Sequence, residues 1–281
     1  VTTIGDGLLS AINQVAFRWR HRRHRPLPGM VWAPTPREER LAPLPPNRVE
    51  AAERLAERLA QDYDLPPTRD LVGPPGDLLA VAELVEALLN GLDEPPSVEH
   101  VTALEAENHT LEVLEVGPAG WEYAPAMHGV LSRFGGSRRV RLTGIEIDPY
   151  VPCGGFRTRR EQAEAAITPL PDCHYLVGDV RDHAGRYDRV IILFPIMRLE
   201  DALGWGLPAS LHDPASLLRH CFDLLLPGGA LLVSSFGYEE EACRLAWESA
   251  GLAGRWFPFE SGLRRDLEPR RLAIVRKSVS H

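Results

Sequence analysis

Apolar residues in this chain fall into short runs that end in an acidic or glycine-containing turn, separated by longer stretches with helical spacing. Residues 111–123 (LEVLEVGPAGWEY) start with alternating apolar positions, carry Glu115 near the end of the run and turn at Gly117-Pro118. Residues 140–148 (VRLTGIEID) form a second run with Glu146 towards its end, and residues 174–182 (HYLVGDVRD) a third that passes through Gly178-Asp179. Residues 187–195 (YDRVIILFP) are apolar on both faces, as a central parallel strand must be. Residues 221–236 (CFDLLLPGGALLVSSF) read as a helix end, a Pro-Gly-Gly turn and a fifth strand, and residues 254–260 and 271–276 supply two more. Strands alternating with helices predict an α/β fold, a three-layer α/β/α sandwich.

In such a sheet the ligand sits just beyond the carboxyl ends of the strands, where backbone must approach it closely. Leu114 and Val116 then face a packing layer, Glu115 is presented at the rim, and Gly117 permits a turn that a side chain would crowd. An acidic group at the end of the second strand can accept both hydroxyl hydrogens of a ribose. Two other readings stay open at this point. A strand followed by Gly-Pro is also an ordinary loop, and Glu146 and Asp179 are also what solvated strand ends look like.

The first 110 residues have a different texture. Residues 7–25 (GLLSAINQVAFRWRHRRHR) predict an amphipathic helix with a basic end, whose Phe17 and Trp19 interleave with arginines. That end is either a solvated helix terminus or a surface for nucleic acid or an anionic membrane. Prolines recurring over 26–46 predict an extended connector. Helices follow over 48–63 and 77–90, the second capped by Asp77 and ended by Gly91, with a further one over 97–108. These helices form either a cap over the ligand cleft or packing decoration. Downstream, Asp213-Pro214 predicts a helix start, Glu239 to Glu241 another first turn, and Trp205 between two glycines a mobile aromatic able to close over a flat substrate. His212 is a candidate base or a surface residue.

Taken in order, EVGPAG, GIEID, GDV, the YDRVIILF strand and LLLPGGALLV make residues 111–277 resemble the class I S-adenosylmethionine-dependent methyltransferases. The resemblance implies a Rossmann-like, seven-stranded, mostly parallel sheet with the last strand antiparallel and an N-terminal helical extension. Residues 111–281 would be the S-adenosylmethionine-binding domain and residues 1–110 a helical and Pro-rich extension or cap. It implies Glu115 near the methionine amino group, with backbone at Gly117, Pro118 and Ala119 lining the methionine end. Glu146 would hold the ribose and Ile147 flank the adenine. Asp179 and Val180 would recognise the ring, and Phe194 would face the transferable methyl. The chain departs from the family turn, acid-x-Gly-x-Gly-x-Gly, at Ala119 and Trp121. Tryptophan is costly in a glycine-only conformation, so the turn is expected to leave the family path after Gly120.

The same segment does not fit the G-x-G-x-x-G spacing of a nicotinamide-dinucleotide turn. At 281 residues, 44% hydrophobic and 25% charged, the composition is that of a globular protein. A net charge of −8 disfavours wholesale nucleic-acid binding without excluding a local basic patch. Four dispersed cysteines make no C-x-x-C pair, so no metal site is indicated and reduced thiols in a cytoplasmic enzyme are expected. No run reaches the roughly 18 apolar residues of a membrane span, and no secretory leader is recognised. The stretch LFPIM at 193–197 lacks the Asn/Asp-Pro-Pro-aromatic pattern with which family members hold an exocyclic amine. No catalytic residue is named by the sequence. The reading is a methyltransferase acting on a small-molecule acceptor; the alternatives are a non-catalytic nucleoside-binding scaffold, or an RNA methyltransferase recruited by the Arg-rich helix.

Overall fold

The computed structural model describes residues 4–24, 46–66, 74–92, 110–134, 138–153, 157–263 and 270–278. Seven strands, β1 (Leu111–Val116), β2 (Val140–Glu146), β3 (Cys173–Val177), β4 (Tyr187–Ile192), β5 (Leu225–Ser235), β6 (Arg255–Phe259) and β7 (Arg270–Arg276), form one sheet. Its order is β3-β2-β1-β4-β5-β7-β6. β1 runs parallel to β2 and β4, β2 to β3, and β4 to β5, while β7 is antiparallel to both β5 and β6. The chain lays down β1, β2 and β3 outward in one direction and then returns to place β4 on the other side of β1. The β1/β4 junction is therefore the topological switch point, the place beyond whose carboxyl ends open α/β sheets bind ligands.

Eight helices flank the sheet among the described residues: α1 (Ile4–Arg23), α2 (Pro46–Tyr63), α3 (Pro74–Asn90), α4 (Ala124–Arg133), α5 (Arg159–Ile167), α6 (Leu199–Gly204), α7 (Pro214–Asp223) and α8 (Glu240–Ser249). Because successive strand residues point to opposite faces, each central strand feeds two cores. Val113, Leu142, Ile191 and Leu232 pack with Leu59 of α2, Leu84 and Leu88 of α3 and Met127 and Val130 of α4. Leu114, Val190, Leu231 and Ala273 pack on the other face with Leu218 of α7 and Cys243 and Trp247 of α8. The result is the expected Rossmann-like α/β/α sandwich. Of the two roles open to the helices after the connector, α2 and α3 take the packing one, since they complete a layer over the sheet.

Local chemistry explains several element starts. The Asp213 carboxylate accepts the Ser216 N–H at 3.0 Å with Pro214 at the first helical position, as expected. α5 begins with a reciprocal capping box between Thr158 and Glu161. α3 starts at Pro74, ahead of Asp77 where the sequence placed the cap, because two prolines at a helix start are already preset for helical φ and carry no N–H to satisfy. The expected helix over 97–108 and the connector, apart from Pro46 at the head of α2, lie outside the described residues. Among the described residues no helix is long and apolar enough to cross a membrane.

Leu88 is fully buried between α3 and the sheet. Leu88→Ala is expected to lower stability by about 2–5 kcal/mol. Urea unfolding should show the loss in a single transition shared by α3 and the sheet. A separate early transition with the sheet unaffected would contradict the shared core.

Candidate functional site

Register brings the predicted acidic strand ends to one rim. Gly117 N–H donates to the Ile145 carbonyl at 2.9 Å, Glu146 lies opposite Val177, and Gly178 N–H donates to the Glu146 carbonyl at 3.0 Å. The turns after β1, β2 and β3 are thus neighbours beyond one edge of the sheet. The Glu146 carboxylate accepts the Ala119 N–H and the Asp148 N–H, each at 2.9 Å and each on a different oxygen, with the Arg159 guanidinium 3.5 Å away. Oε1 thus takes the Asp148 N–H and the long Arg159 contact, while Oε2 takes the Ala119 N–H alone and keeps a second lone pair. A Cβ built on Gly117 or Gly178 would meet nothing within 4 Å, so the backbone is open on that side of both turns.

The turn after β1 does not leave the glycine path. φ is +73° at Gly117, +53° at Ala119 and +48° at Trp121, so all three positions where the family has glycine are left-handed. Each non-glycine residue there costs roughly 1–2 kcal/mol. What offsets that cost is the Trp121 side chain. The indole is buried and donates to Glu115 Oε2 at 2.5 Å, and its ring lies over Gly144, where a Cβ would come within 2.9 Å of it. Tyr123 donates its hydroxyl to Glu115 Oε1 at 2.6 Å, and the Tyr175 hydroxyl donates to the Ala119 carbonyl at 2.8 Å.

Glu115 is accordingly not at the rim: it is 0% exposed, beneath the turn, with both oxygens engaged. Burial pushes its pKa up to about 8, against the opposing hydrogen bonds from Tyr123 and Trp121. At neutral pH it is predominantly a neutral acid that accepts from the indole N–H and from the phenol O–H.

At the third turn, Asp179 caps the short 3-10 turn Val180–Asp182 and is bound by Arg181, whose guanidinium also reaches the Leu211 carbonyl at 3.2 Å. Burial works to raise the Asp179 pKa, but Arg181 outweighs it and holds the carboxyl below its usual range. Val180 is buried and Ile147 half-buried. Beyond β4, Phe194 has φ +60°, and its ring stacks on Phe236 with centroids 5.5 Å apart.

α1 supplies residues that sequence reasoning did not select. Arg20 forms a buried ion pair with Asp148, and the Asn13 amide donates to the Leu203 and Leu207 carbonyls at 2.9 and 3.0 Å. Ser10 accepts the Ala209 N–H at 2.9 Å. His21 lies beside Asp148 and the Ile147 backbone, and burial lowers its pKa. α1 and the 199–211 segment therefore lie together against the residues that follow Glu146. Trp205 sits with the Arg159 guanidinium 5.5 Å from its ring centroid, which ties it to the Glu146 side of the cleft. Burial lowers the His212 pKa, and its Nε2 is buried without a hydrogen-bond partner. The four cysteines are free, and no cluster among the described residues has the make-up of a metal site.

No family model matches the sequence, and no curated protein matches it. The structure is similar to TrmN from Thermus thermophilus, with 18% identity, a TM-score of 0.46 and coverage of 79% of this chain and 53% of that one. This chain thus spans about half the length of that protein. It is also similar to the N-methyltransferase NodS from Bradyrhizobium japonicum WM9 in complex with S-adenosyl-L-homocysteine (16% identity, TM-score 0.44, 82% of this chain and 98% of that one). A putative class I S-adenosylmethionine-dependent methyltransferase from Listeria monocytogenes is similar at 12% identity and TM-score 0.48, over 82% of this chain and 68% of that one. Strand order and register, not these likenesses, carry the fold assignment.

The raised Glu115 pKa fixes the sign of a pH dependence. Between about pH 4.5 and 8 the unfolded chain loses a proton that the folded chain keeps, so this group's contribution to stability is full below pH 4.5 and is lost as pH rises through 8. Glu115→Gln, which keeps the volume and an oxygen acceptor but has no proton to lose, is expected to flatten that fall; urea midpoints across pH 5–9 measure it, and an unchanged slope would refute the assignment. Arg20→Ala leaves Asp148 buried and unpaired, a change that costs about 3–5 kcal/mol in buried pairs. Amide exchange in residues 4–23 is expected to rise sharply in this variant while exchange in β1 and β4 stays slow.

Proposed function

We propose that the chain is an S-adenosylmethionine-dependent methyltransferase acting on a small-molecule acceptor, with residues 111–281 binding the cofactor and residues 1–110 contributing α1 as its cover. The observation that carries this reading is the Glu146 carboxylate. It lies at the end of β2 between two open glycine turns, with a lone pair left on Oε2 and only the long 3.5 Å Arg159 contact beside the backbone donor on Oε1. That arrangement fits a ribose diol, whose two hydroxyls need adjacent acceptors.

Bound there, S-adenosylmethionine would supply a methyl group on a positively charged sulfur, and the acceptor's lone pair would take the methyl as the sulfur keeps the bonding electrons. The chain's own residues bind and orient. Glu146 accepts from the ribose, Ile147 flanks the adenine, and Val180 N–H and Asp179 meet the ring edge. Backbone at Gly117, Pro118 and Ala119 lines the methionine end, and Phe194 faces the methyl. Glu115 serves as a positioning residue, because as a buried neutral acid it meets Trp121 and Tyr123 and reaches the cofactor only through the turn it shapes. α1 and Trp205 exclude water from the nucleoside side, which strengthens the polar contacts beneath them. Transfer from a sulfonium relies mainly on in-line positioning, so no strong base is required.

Titration calorimetry with S-adenosylhomocysteine is expected to give saturable heat. Glu146→Gln, which preserves volume, is expected to weaken binding about 100-fold by removing the paired charge-assisted acceptors. Absence of heat with the folded wild-type chain would remove the proposal.

A further inference from the structure

α1 carries a second surface, apart from the one by which it docks. Asn13, Ala16 and Arg20 are buried, whereas Leu8, Ile12 and Val15 recur on a different side of the helix at spacings of four and three, each at least half exposed. Half-buried Trp19, four positions further on, continues the stripe. Four of the ten large hydrophobic side chains exposed among the described residues belong to this one helix, and the others are spread along the rest of the chain. Exposed apolar residues scattered singly are ordinary, but a line of them along one helix is a contact surface. The charges beside the stripe complete it. Arg18, Arg22 and Arg23 are exposed at the carboxyl end of α1, and none of them pairs with a carboxylate among the described residues. On α2 and α8, by contrast, the exposed Arg54, Arg58 and Arg244 each pair with a carboxylate of their own helix. With four arginines and the single acidic residue Asp6, α1 is a basic helix on a chain of net charge −8.

The side chains themselves select the occupant. A stable pair of chains takes roughly 800 Å² from each partner, about 20–30 residues a side, which a stripe of four residues does not supply. RNA would engage the arginines but leave Leu8, Ile12 and Val15 in water. An anionic bilayer uses both sets: aliphatic side chains enter the boundary of the acyl chains, an indole rests at headgroup level, and arginines reach the lipid phosphates. We propose that α1 docks the protein on an anionic lipid surface, with Leu8, Ile12, Val15 and Trp19 entering the interface and Arg18, Arg22 and Arg23 on the headgroups. The bonds from Asn13 to Leu203 and from Arg20 to Asp148 leave from another side of the helix, so α1 lies on the lipid without leaving the chain. The contact is peripheral, since no helix among the described residues is long and apolar enough to span a bilayer. It is independent of the cofactor reading, which rests on the Glu146 carboxylate.

The test is cosedimentation of the full chain with vesicles of phosphatidylglycerol and phosphatidylcholine, and with vesicles of phosphatidylcholine alone. The wild-type chain is expected to bind the anionic vesicles and to bind the neutral ones far more weakly, a comparison that needs no substitution. Replacing the three arginines together (Arg18→Gln, Arg22→Gln, Arg23→Gln) is expected to weaken anionic binding about 100-fold, at about fivefold for each cation near the surface. Leu8→Gln combined with Val15→Gln leaves the charge intact and is expected to cost at least about tenfold through lost apolar burial. Circular dichroism stays unchanged in both variants, because the altered side chains are exposed. No binding to anionic vesicles, equal binding to neutral ones, or full binding in either folded variant would overturn the proposal. Polyuridylate held tightly by the Leu8→Gln, Val15→Gln variant while vesicles are ignored by the wild type would assign the arginines to nucleic acid instead. A dimer in analytical ultracentrifugation that the same apolar variant dissolves would assign the stripe to a second copy and equally overturn the proposal.

Discussion

The clamp between Glu115 and the two aromatic residues of its own turn is the constraint on which the site depends. Two left-handed non-glycine residues, Ala119 and Trp121, are unfavourable by themselves. They persist because the indole N–H and the phenol O–H both end on a carboxyl that is cut off from water, where an unmet polar group would cost more than the backbone strain. The consequence travels directly to the rim. With Trp121 held down, Ala119 presents its N–H to Glu146, and Glu146 is thereby aligned beside the openings at Gly117 and Gly178. The turn is packed through its side chains, with Trp121 and Tyr123 both anchored on Glu115.

A second buried charge extends the same logic outward. Asp148 donates its backbone N–H to Glu146 while its carboxylate takes Arg20 from α1. One short segment therefore connects the Glu146 carboxylate to α1. Any movement of α1 away from the cleft must uncover Asp148, and the desolvation already incurred by both charges is recovered only in the docked arrangement. α1 and the Glu146 carboxylate are in this way coupled through three consecutive residues, Glu146, Ile147 and Asp148.

Much of the fold was legible because its signals are local. Doubly apolar β4, the Asp213-Pro214 helix start and the acidic strand ends all depend on neighbours within a few positions. The turn was misjudged because the cost of a left-handed tryptophan is local, whereas the relief is not: Gly144, in the next strand, leaves the room the indole fills. The same limit hid Arg20, 128 positions from its partner. Helical periodicity identified α1 as amphipathic but carries no sign for which face is inward.

On α1 the inward face turns out to be the polar one. Asn13, Ala16 and Arg20 are buried, while Leu8 and Val15 are 66% and 71% exposed. This inversion has a physical reason in what α1 meets. Where it docks, the chain offers the carbonyls of Leu203 and Leu207 and the carboxylate of Asp148, groups a leucine face would leave unsatisfied at a cost of a few kcal/mol each. A helix that covers a polar cleft must bring donors to it, so its apolar residues are displaced to the opposite side. The usual rule that the hydrophobic stripe marks the buried face holds for helices over a sheet, such as α3 and α8, and fails for α1, which docks on carbonyls and a carboxylate.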